Sequence, residues 1–376
     1  MIRVLELLTA TTLGGGPRQV LDLVRHLPAE EFRVSVAGPP DSRFAVDLHT
    51  RGIELVGVAV DRLGAFPRTL RAVERLIRDV RADVVHTHGK GAGLYGRLAA
   101  WLAAVPAVHT FHGIHYESYS RVGQRGYLAL ERWLAGVTHT VINVSRTQDD
   151  EALRLGVAQP GRSAVIVNGI DVDELAARPV KAKDELELGA ETQVLGCVAR
   201  FDPIKRHDLL VRAVAGVAQR HPNVALLLAG EGPEKDRLAG HANVRVVPGA
   251  LGWTTNLYAS CDLYVSASAK EGLPLALLEA MASGLAVVAT NVPGHQDVVD
   301  DGTTGLLVPP DDETALSTAI ASLLDDRQRR RQMGQAGRKR VLKEFTVQSM
   351  VAKTADVYRA AAAARPERGA PARRPR

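Results

Sequence analysis

Cysteine and aromatic residues are scarce in this sequence. Its 376 residues include two cysteines, Cys197 and Cys261, and neither lies in a CxxC pair. This excludes a disulfide framework and favours small core residues in a reducing compartment. Aromatic residues make up 4% of the chain, against 34 glycines. Such a composition is typical of an α/β protein with many tight turns between strands and helices.

Long hydrophobic runs are also absent from the sequence. The longest uncharged apolar stretch, Leu98–Val108, spans 11 residues, whereas a membrane-spanning helix needs about 20. Met1 leads directly into the strand-like Ile2–Leu8, without the basic and apolar regions of a secretory signal. We therefore expect a cytoplasmic protein, which could also work at the inner face of the cell membrane.

The positive charge is concentrated at one end of the chain. The formal net charge is +5, and residues 365–376 hold five arginines against one glutamate, which is +4 of that total. The rest of the chain is nearly neutral, so we expect no nucleic-acid partner. This tail also has three prolines, and its composition predicts disorder.

Short β-branched segments alternate with amphipathic ones along most of the chain. Strand-like Ile2–Leu8 and Asp83–Thr87 and the helix-like Pro17–Leu27 are examples in the first half. This order, with short connections, predicts a parallel sheet with helices on both faces. The alternation stops in the polar segment Asp171–Glu191 and resumes at Val194–Ala199. The sequence thus predicts two doubly wound α/β domains, which bind ligands at the carboxyl ends of their strands.

These patterns set the predicted domain bounds. The first Rossmann-like domain spans residues 1–172 and the second spans residues 191–345, with the polar segment as their connection. A final helix over residues 346–364 is expected to pack back on the first domain. The basic tail follows that helix.

Two turns that follow predicted strands have residues suited to phosphate groups. Gly15 and Gly16 belong to the triple glycine at residues 14–16, before a helix, where backbone amides can approach a phosphate. Arg200 and Lys205, in CVARFDPIKRHDLL, could hold a diphosphate at the end of a parallel strand. A triple glycine alone is weak evidence, and a solvated basic turn is the alternative for the two cations.

The segment Ala269–Ala282, AKEGLPLALLEAMA, places two acids near the start of a predicted helix. Glu271 and Glu279 are eight residues apart, just over two helical turns, so we expect both carboxylates on one side of the helix start. Glu279 lies in an apolar run and therefore needs hydroxyl or cationic partners. The amides of residues 272–275 open the helix and can bind phosphate oxygens.

This segment and its neighbours carry a family resemblance. EGLPLALLEAMASGLAVVAT, preceded by ARFDPIKRHDLLVRAV, LAGEGPEKDRL and DLYVSAS, closely resembles the retaining glycosyltransferases of family 4, which have the GT-B fold. GGGPRQVLDLVRHL, ADVVHTHG, VHTFHG and VNGIDVDEL stand where that family has its glycine loop, histidine segments and interdomain strand. The resemblance covers nearly the whole chain and implies two Rossmann-like domains that face each other across a cleft.

The resemblance implies a donor site in the second domain. Glu271 would bind the donor sugar ring, and Glu279 would bind the ribose of a nucleoside diphosphate sugar. Arg200 and Lys205 would neutralise the diphosphate as it leaves. The backbone amides expected to complete the phosphate site are those of Gly272, Leu273, Pro274 and Leu275.

The resemblance assigns the acceptor to the first domain. Gly15 and Gly16 would face the donor phosphates or the acceptor, and His112 would stabilise positive charge near the reacting carbon. The family needs neither a metal nor another cofactor, so we expect none here. The predicted catalytic residues are Glu271, His112, Arg200 and Lys205.

Some features fit a metal site or depart from the family pattern. His86 and His88 in VVHTHG resemble a metal pair, but no carboxylate or cysteine completes a ligand set in the sequence, so structural or acceptor-site roles are favoured. Arg206 stands where the family has glycine, and could contact phosphate or point outward. Asp297 in VPGHQD replaces the usual glutamate, so no role is transferred to it.

Aromatic residues and arginines alternate between Phe111 and Trp133. This stretch holds five of the 16 aromatic residues and three arginines. The pattern suits contact with an anionic membrane or a lipid-linked acceptor, and inward packing of the rings is the alternative.

The predicted function is transfer of a sugar, with retention, from a nucleoside diphosphate sugar to a hydroxyl of a glycan or lipid-linked acceptor. A sugar-nucleotide 2-epimerase with the same fold and a non-catalytic sugar-nucleotide-binding subunit are the alternatives. We expect the side chains of Glu271 and Lys205 to be exposed, so that replacing either one lowers turnover with little loss of stability.

Overall fold

The chain divides into two compact units. The computed structural model describes residues 1–9, 15–39, 42–50, 52–60, 65–114, 116, 119–180, 183–248 and 256–365. Unit 1 comprises residues 1–169 and the chain from Val347 onward, and unit 2 is Ile170–Thr346. No helix in the described ranges is both long and apolar enough to cross a membrane.

Unit 1 is built on a parallel sheet of seven strands in the order β3-β2-β1-β4-β5-β6-β7. The strands are β1 Ile2–Leu8, β2 Phe32–Gly38, β3 Leu55–Gly57, β4 Val84–His88, β5 Ala107–Phe111, β6 Thr140–Asn143 and β7 Ser163–Val165. The helices between them are α1 Gly15–His26, α2 Ser42–His49, α3 Phe66–Asp79, α4 Lys90–Leu102, α5 Arg121–Val137 and α6 Arg146–Leu155. The central strands β1, β4, β5 and β6 are buried along most of their length, as expected for a parallel sheet covered by helices on both faces.

Unit 2 repeats this architecture with six parallel strands in the order β10-β9-β8-β11-β12-β13. They are β8 Gln193–Val198, β9 Val224–Gly230, β10 Val244–Pro248, β11 Leu263–Ser266, β12 Val287–Thr290 and β13 Gly305–Val308. The helices are α7 Val172–Ala177, α8 His207–Ala218, α9 Lys235–Leu238, α10 Leu275–Ala282, α11 Pro293–Val298, α12 Glu313–Asp325 and α13 Arg327–Glu344. The predicted pair of doubly wound α/β sheets is confirmed.

The predicted connection at Asp171–Glu191 is an integral part of unit 2. Asp171 caps α7 by accepting a hydrogen bond from the Glu174 amide (2.9 Å). Leu186 and Leu188 are buried in the same core cluster as β8 and β9. The polar composition concealed these few apolar anchors, and the first unit's first segment ends at Gly169.

The last helix returns to the first unit. Helix α14, Val347–Ala363, buries Met350, Tyr358 and other side chains in one core cluster with β1, β4 and β5. Arg365, which was assigned to the disordered tail, donates to Asp83 Oδ1 (2.6 Å). The rest of that tail lies outside the described residues.

A buried histidine is expected to make unit 2 sensitive to acid. His207, the first residue of α8, packs edge-on against Phe201 at 5.1 Å, and neither of its ring nitrogens has a partner among the described residues. Burial, followed by the nearby Lys205 charge, lowers its pKa to about 4. As the pH falls from about 6.5 to about 4, the imidazole of His207 becomes protonated in the unfolded chain but stays neutral in the folded chain. The free energy of unfolding therefore falls across this pH range.

His207→Leu removes this proton uptake. At pH 4 the variant should gain about 3 kcal/mol relative to its effect at pH 7, measured by urea unfolding at both pH values. If the two chains lose stability equally between pH 7 and pH 4, His207 does not cause the acid sensitivity.

Candidate functional site

The centre of the site in unit 2 lies where two neighbouring strands end. Lys205 follows β8 in the short helical turn Pro203–Lys205, and Glu271 follows β11, which pairs with β8. Because parallel strands end at the same edge of a sheet, the two side chains meet: Lys205 Nζ donates to Glu271 Oε1 at 2.6 Å. Ser268 Oγ donates to the same oxygen at 2.7 Å. The structure thus brings two predicted site residues into direct contact.

The Lys205–Glu271 pair is mostly buried. The two side chains are 17% and 12% exposed, so the expectation that both are exposed was wrong. Burial raises the pKa of the Glu271 carboxyl, but the Lys205 charge, His295 and the hydrogen bonds outweigh it and lower the pKa overall. Glu271 is therefore an ionised acceptor at neutral pH.

Residues behind Glu271 hold it in place, and they were not predicted from the sequence. His295 is buried, and its Nδ1 donates to the Thr290 carbonyl (2.7 Å). Thr290 Oγ1 donates to the Ser268 carbonyl (2.6 Å), which links β12 to the serine that binds Glu271. The signal in the sequence is the segment VPGHQD, in which His295 lies two residues before Asp297.

A glycine also shapes this position. A Cβ atom on Gly294 would lie 2.7 Å from Glu271 Cβ and 2.8 Å from the carbonyl oxygens of Glu271 and Gly272. Only a residue without a side chain allows α11 to approach the Glu271 backbone so closely.

Glu279 has the kinds of partner that its apolar surroundings demand. It lies in α10, where its Oε2 accepts from the Tyr258 hydroxyl at 2.8 Å and its Oε1 lies 3.2 Å from Arg178 Nη1. Arg178 is only 6% exposed and follows α7, in the segment predicted as a connection. Both partners lie far from Glu279 in sequence, so no local pattern could have identified them.

The geometry of the α10 start differs from the prediction. Helix α10 begins at Leu275, with Pro274 as its N-cap, so Glu271 precedes the helix and the helical spacing from Glu271 to Glu279 does not apply. Pro274 has no N–H group and cannot donate to a phosphate. The predicted amide donors are therefore reduced to those of Gly272, Leu273 and Leu275.

The other two cations of this turn are held by acids. Arg200 Nη1 lies 2.6 Å from Asp202 Oδ2, and its side chain is 60% exposed. The structure therefore does not place Arg200 in the Lys205–Glu271 pair. Arg206 forms ion pairs with Asp208 and Asp311. Its side chain is thus directed to these two acids, and no phosphate contact is assigned to it.

In unit 1 the predicted glycine and histidine lie side by side. A Cβ atom on Gly16 would lie 3.2 Å from His112 Cδ2, whereas a Cβ on Gly15 would have nothing within 4 Å. His112 Nε2 lies 3.1 Å from His88 Nδ1. Gly14, the first residue of the triple glycine, lies outside the described residues.

The histidine pair of β4 has a carboxylate beside it. The expectation that no carboxylate completes a ligand set with His86 and His88 was therefore wrong. Glu6 of β1, His86 and His88 are all buried, and their ligand atoms lie within 4.8 Å of one another. However, both nitrogens of each ring already have hydrogen-bond partners, among them Tyr358 and Thr110 for His86. The arrangement has the geometry of a hydrogen-bond network that joins α14 to the sheet.

Comparison with known proteins agrees with this geometry. The family models for Glycosyl transferases group 1 and Glycosyltransferase Family 4 match residues 181–340 and 13–174. An alpha-maltose-1-phosphate synthase of Mycolicibacterium smegmatis is 32% identical over 84% of this chain and 90% of its own length. The UDP-Gal:alpha-D-GlcNAc-diphosphoundecaprenol alpha-1,3-galactosyltransferase of Escherichia coli is 27% identical over 95% of this chain and 96% of its own.

Solved structures show the same fold. Anabaena Alr3699/HepE, in complex with UDP and glucose, matches with a TM-score of 0.81 at 22% identity, over 96% of this chain and 100% of that one. The two parallel α/β sheets are thus those of the GT-B fold. Both family models and the curated relatives place the chain in one family: it is a GT-B glycosyltransferase of the family 4 type.

Proposed function

We propose that this glycosyltransferase moves a sugar from a nucleoside diphosphate sugar to a hydroxyl group, with retention at the anomeric carbon. The observation that carries the proposal is the ionised Glu271, held by Lys205 and Ser268 at the strand ends and followed by the start of α10. A cation, a carboxylate and helix-start amides at one place suit a substrate that joins a diphosphate to a sugar.

In the proposed reaction, opposite charges develop at the two ends of the bond that breaks. Lys205 would leave its pairing with Glu271 to neutralise the departing diphosphate, together with the first amides of α10. Glu271 would then accept hydrogen bonds from sugar hydroxyls. Glu279 would bind the ribose in place of the Tyr258 hydroxyl. Retention would follow from attack on the face that the diphosphate leaves, with the leaving phosphate assisting the acceptor.

The relatives support a nucleotide sugar as donor. The Escherichia coli relative is named for UDP-Gal, and the Anabaena structure holds UDP and glucose. The Escherichia coli relative is a galactosyltransferase and both family models describe glycosyltransferases, so the comparisons do not favour a 2-epimerase or a non-catalytic subunit. The sequence leaves the base and the sugar open.

The test is a panel of UDP-, GDP- and ADP-sugars. One donor should raise the melting temperature of the purified protein, because a ligand at about 100 times its dissociation constant adds about 2.7 kcal/mol. That donor should then glycosylate a lipid-linked or glycan acceptor, with the donor's anomeric configuration in the product by NMR. Inversion would overturn the retaining mechanism, acceptor-free conversion to the 2-epimer would indicate the epimerase, and binding without transfer or hydrolysis would indicate a non-catalytic subunit.

Gly294→Ala is expected to lower turnover because a methyl group there displaces the backbone of Glu271. We expect a loss of at least about tenfold in kcat and about 1–3 kcal/mol of stability. Gly216→Ala in α8 is the matched control, since its Cβ would lie 3.9 Å from the nearest atom, Ser317 Cβ; it should add about 0.5–1 kcal/mol with unchanged kcat. Steady-state rates and urea unfolding measure both, and normal turnover of the Gly294 variant would contradict the assigned contact.

We further propose a lipid-linked acceptor, approached from an anionic membrane surface by α5. Val122, Leu130 and Trp133 are exposed on this helix, Val122 to 80%. The helix has three arginines, and its one acid, Glu131, is buried in an ion pair with Arg97, so its exposed charge is positive. The Escherichia coli relative is named for a diphosphoundecaprenol acceptor. Exposed apolar residues among arginines suit the interface of an anionic bilayer.

Vesicle flotation tests this surface. The protein should float with vesicles that contain phosphatidylglycerol and remain behind with phosphatidylcholine alone, and Val122→Asn with Trp133→Asn should abolish the difference. Leu342→Asn is the control, because Leu342 is apolar and about as exposed as Trp133 (48% against 44%) but lies on α13 of unit 2. Equal flotation of the α5 variant and the wild type would refute the membrane contact.

A further inference from the structure

The two ring nitrogens of His112 have different surroundings. The Nδ1 atom of His112 has no hydrogen bond among the described residues, although it is shielded from water. The opposite edge of the ring is fixed, since Nε2 faces His88 and the Cδ2 side lies against Gly16. An unpaired buried nitrogen costs free energy unless a ligand satisfies it.

The protonation of that nitrogen depends on Glu6, which contacts His88, the neighbour of His112. Glu6 Oε2 lies 2.8 Å from His88 Nε2. Burial raises the pKa of Glu6, but the two β4 histidines more than compensate and lower it well below its ordinary value. A carboxylate can only accept, so His88 carries its proton on Nε2. Burial lowers the pKa of His88 to about 4, which leaves Nδ1 of this neutral ring bare at neutral pH.

The position of the proton on the His88 ring determines the position of the proton on His112. The unprotonated Nδ1 of His88 can only accept a hydrogen bond, and the atom that faces it is His112 Nε2 at 3.1 Å. The two ring planes differ by only 22° with centroids 5.4 Å apart, which fits an N–H···N bond in the plane of the rings. Burial lowers the pKa of His112 well below its ordinary value, so the ring is neutral. Its single proton is on Nε2, and Nδ1 keeps a free lone pair.

The other half of the network agrees with this assignment. Tyr358 donates its hydroxyl proton to Glu6 Oε1 at 2.6 Å and can then accept from His86 Nδ1 at 2.6 Å. His86 Nε2 is left to accept from Thr110 Oγ1 at 2.7 Å. Each of these contacts then has one donor and one acceptor.

We propose that Glu6 and His88 are positioning residues that hold His112 in its Nε2–H tautomer, so that Nδ1 accepts a hydrogen bond from a sugar hydroxyl of the substrate. The hydrogen bond from a sugar hydroxyl rests on the proposed transferase reaction, whereas the tautomer of His112 does not depend on it. The wrong tautomer would present an N–H where an acceptor is needed, and would turn an attraction into a repulsion.

Two substitutions of His88 separate the two hydrogen bonds of its ring. The side-chain oxygen of Asn takes the place of the imidazole Nδ1, so His88→Asn keeps an acceptor for His112 and loses the donor to Glu6. Gln reaches the place of Nε2, so His88→Gln keeps the donor to Glu6 and loses the acceptor for His112. A merely structural role would make the two variants alike, or make the Asn variant the worse enzyme, because it leaves the buried Glu6 short of a donor.

The first measurement is the tautomer of His112 by ¹⁵N NMR of the histidine-labelled, full-length protein, assigned with His112→Gln. The wild type and His88→Asn should show Nε2–H, and His88→Gln should show a mixture. Kinetics should follow: His88→Gln should lose about 100-fold in kcat with little change in KM for the donor, whereas His88→Asn should stay within about tenfold of the wild type despite a lower Tm.

Each outcome decides the proposal. An Nδ1–H tautomer in the wild type, or wild-type kcat in a folded His88→Gln variant, would overturn it. Loss of both donor hydrolysis and transfer in that variant would place the hydroxyl on the donor sugar, and loss of transfer alone would place it on the acceptor. If the wild type transfers no sugar from any donor, the proposed function fails while the tautomer measurement still stands.

Discussion

Glu271→Gln is expected to lower kcat by about 10²–10³-fold. The substitution keeps the shape of the side chain and an acceptor for Ser268, but it removes the negative charge that Lys205 contacts at 2.6 Å. A neutral amide cannot stabilise a sugar that becomes positively charged as the diphosphate leaves. Steady-state kinetics with the donor found in the panel measures the effect.

The same substitution is expected to cost stability, in contrast to what the sequence indicated. Lys205 would keep its charge in a site where its side chain is 17% exposed, and an unpaired, mostly buried charge costs up to about 3 kcal/mol. Lys235→Met is the control: it breaks an exposed pair with Glu231 in the same unit and should change neither quantity. Wild-type turnover in a folded Glu271→Gln protein would remove Glu271 from the reaction.

Glu131→Ala is expected to destabilise the protein by about 3–5 kcal/mol. Its partner Arg97 is fully buried, with Nη2 at 2.7 Å from Glu131 Oε2 and Nε at 2.7 Å from the Gly93 carbonyl. Loss of the carboxylate would leave a guanidinium without a counter-charge between α4 and α5. Urea unfolding at pH 7 measures the change.

Two controls show whether burial causes this effect. Glu74→Ala breaks the Glu74–Arg78 pair of α3, in which Arg78 is 60% exposed, and should cost less than about 1 kcal/mol. The double change of Arg97→Met with Glu131→Leu should recover most of the stability, because it removes both charges together. A loss at Glu131 no larger than at Glu74 would mean that Arg97 reaches water when its partner is gone.

The elements of the fold were largely predictable from sequence because the hydrophobic pattern is local. Strand β1 was expected at Ile2–Leu8 and lies there, since five of its seven residues are apolar and such a segment fits a parallel sheet covered on both faces. The segment Asp171–Glu191 was misjudged because Leu186 and Leu188 anchor it within a polar composition that is typical of a connection.

The site residues could be predicted only where they belong to a recognisable sequence motif. Lys205 and Glu271 belong to recognisable segments, and the sheet topology explains why residues 66 apart in sequence meet. Glu6 was missed because a single acid in an apolar strand shows no local sign of its partners, one of which is Tyr358, 352 residues away. Long-range hydrogen bonds of this kind depend on which helix returns to which sheet, and short-range patterns do not contain that information.

The proposed function requires that Lys205 and its neighbours in unit 2 bind the diphosphate of a nucleotide sugar. Isothermal titration of UDP, GDP and ADP into the wild type, Lys205→Met and Lys235→Met tests it most directly. We expect one nucleotide to bind the wild type and Lys235→Met equally and to bind Lys205→Met at least about tenfold more weakly, the loss of one charge-assisted contact. Equal affinity for all three proteins, or no binding of any nucleotide to the wild type, would contradict the claim.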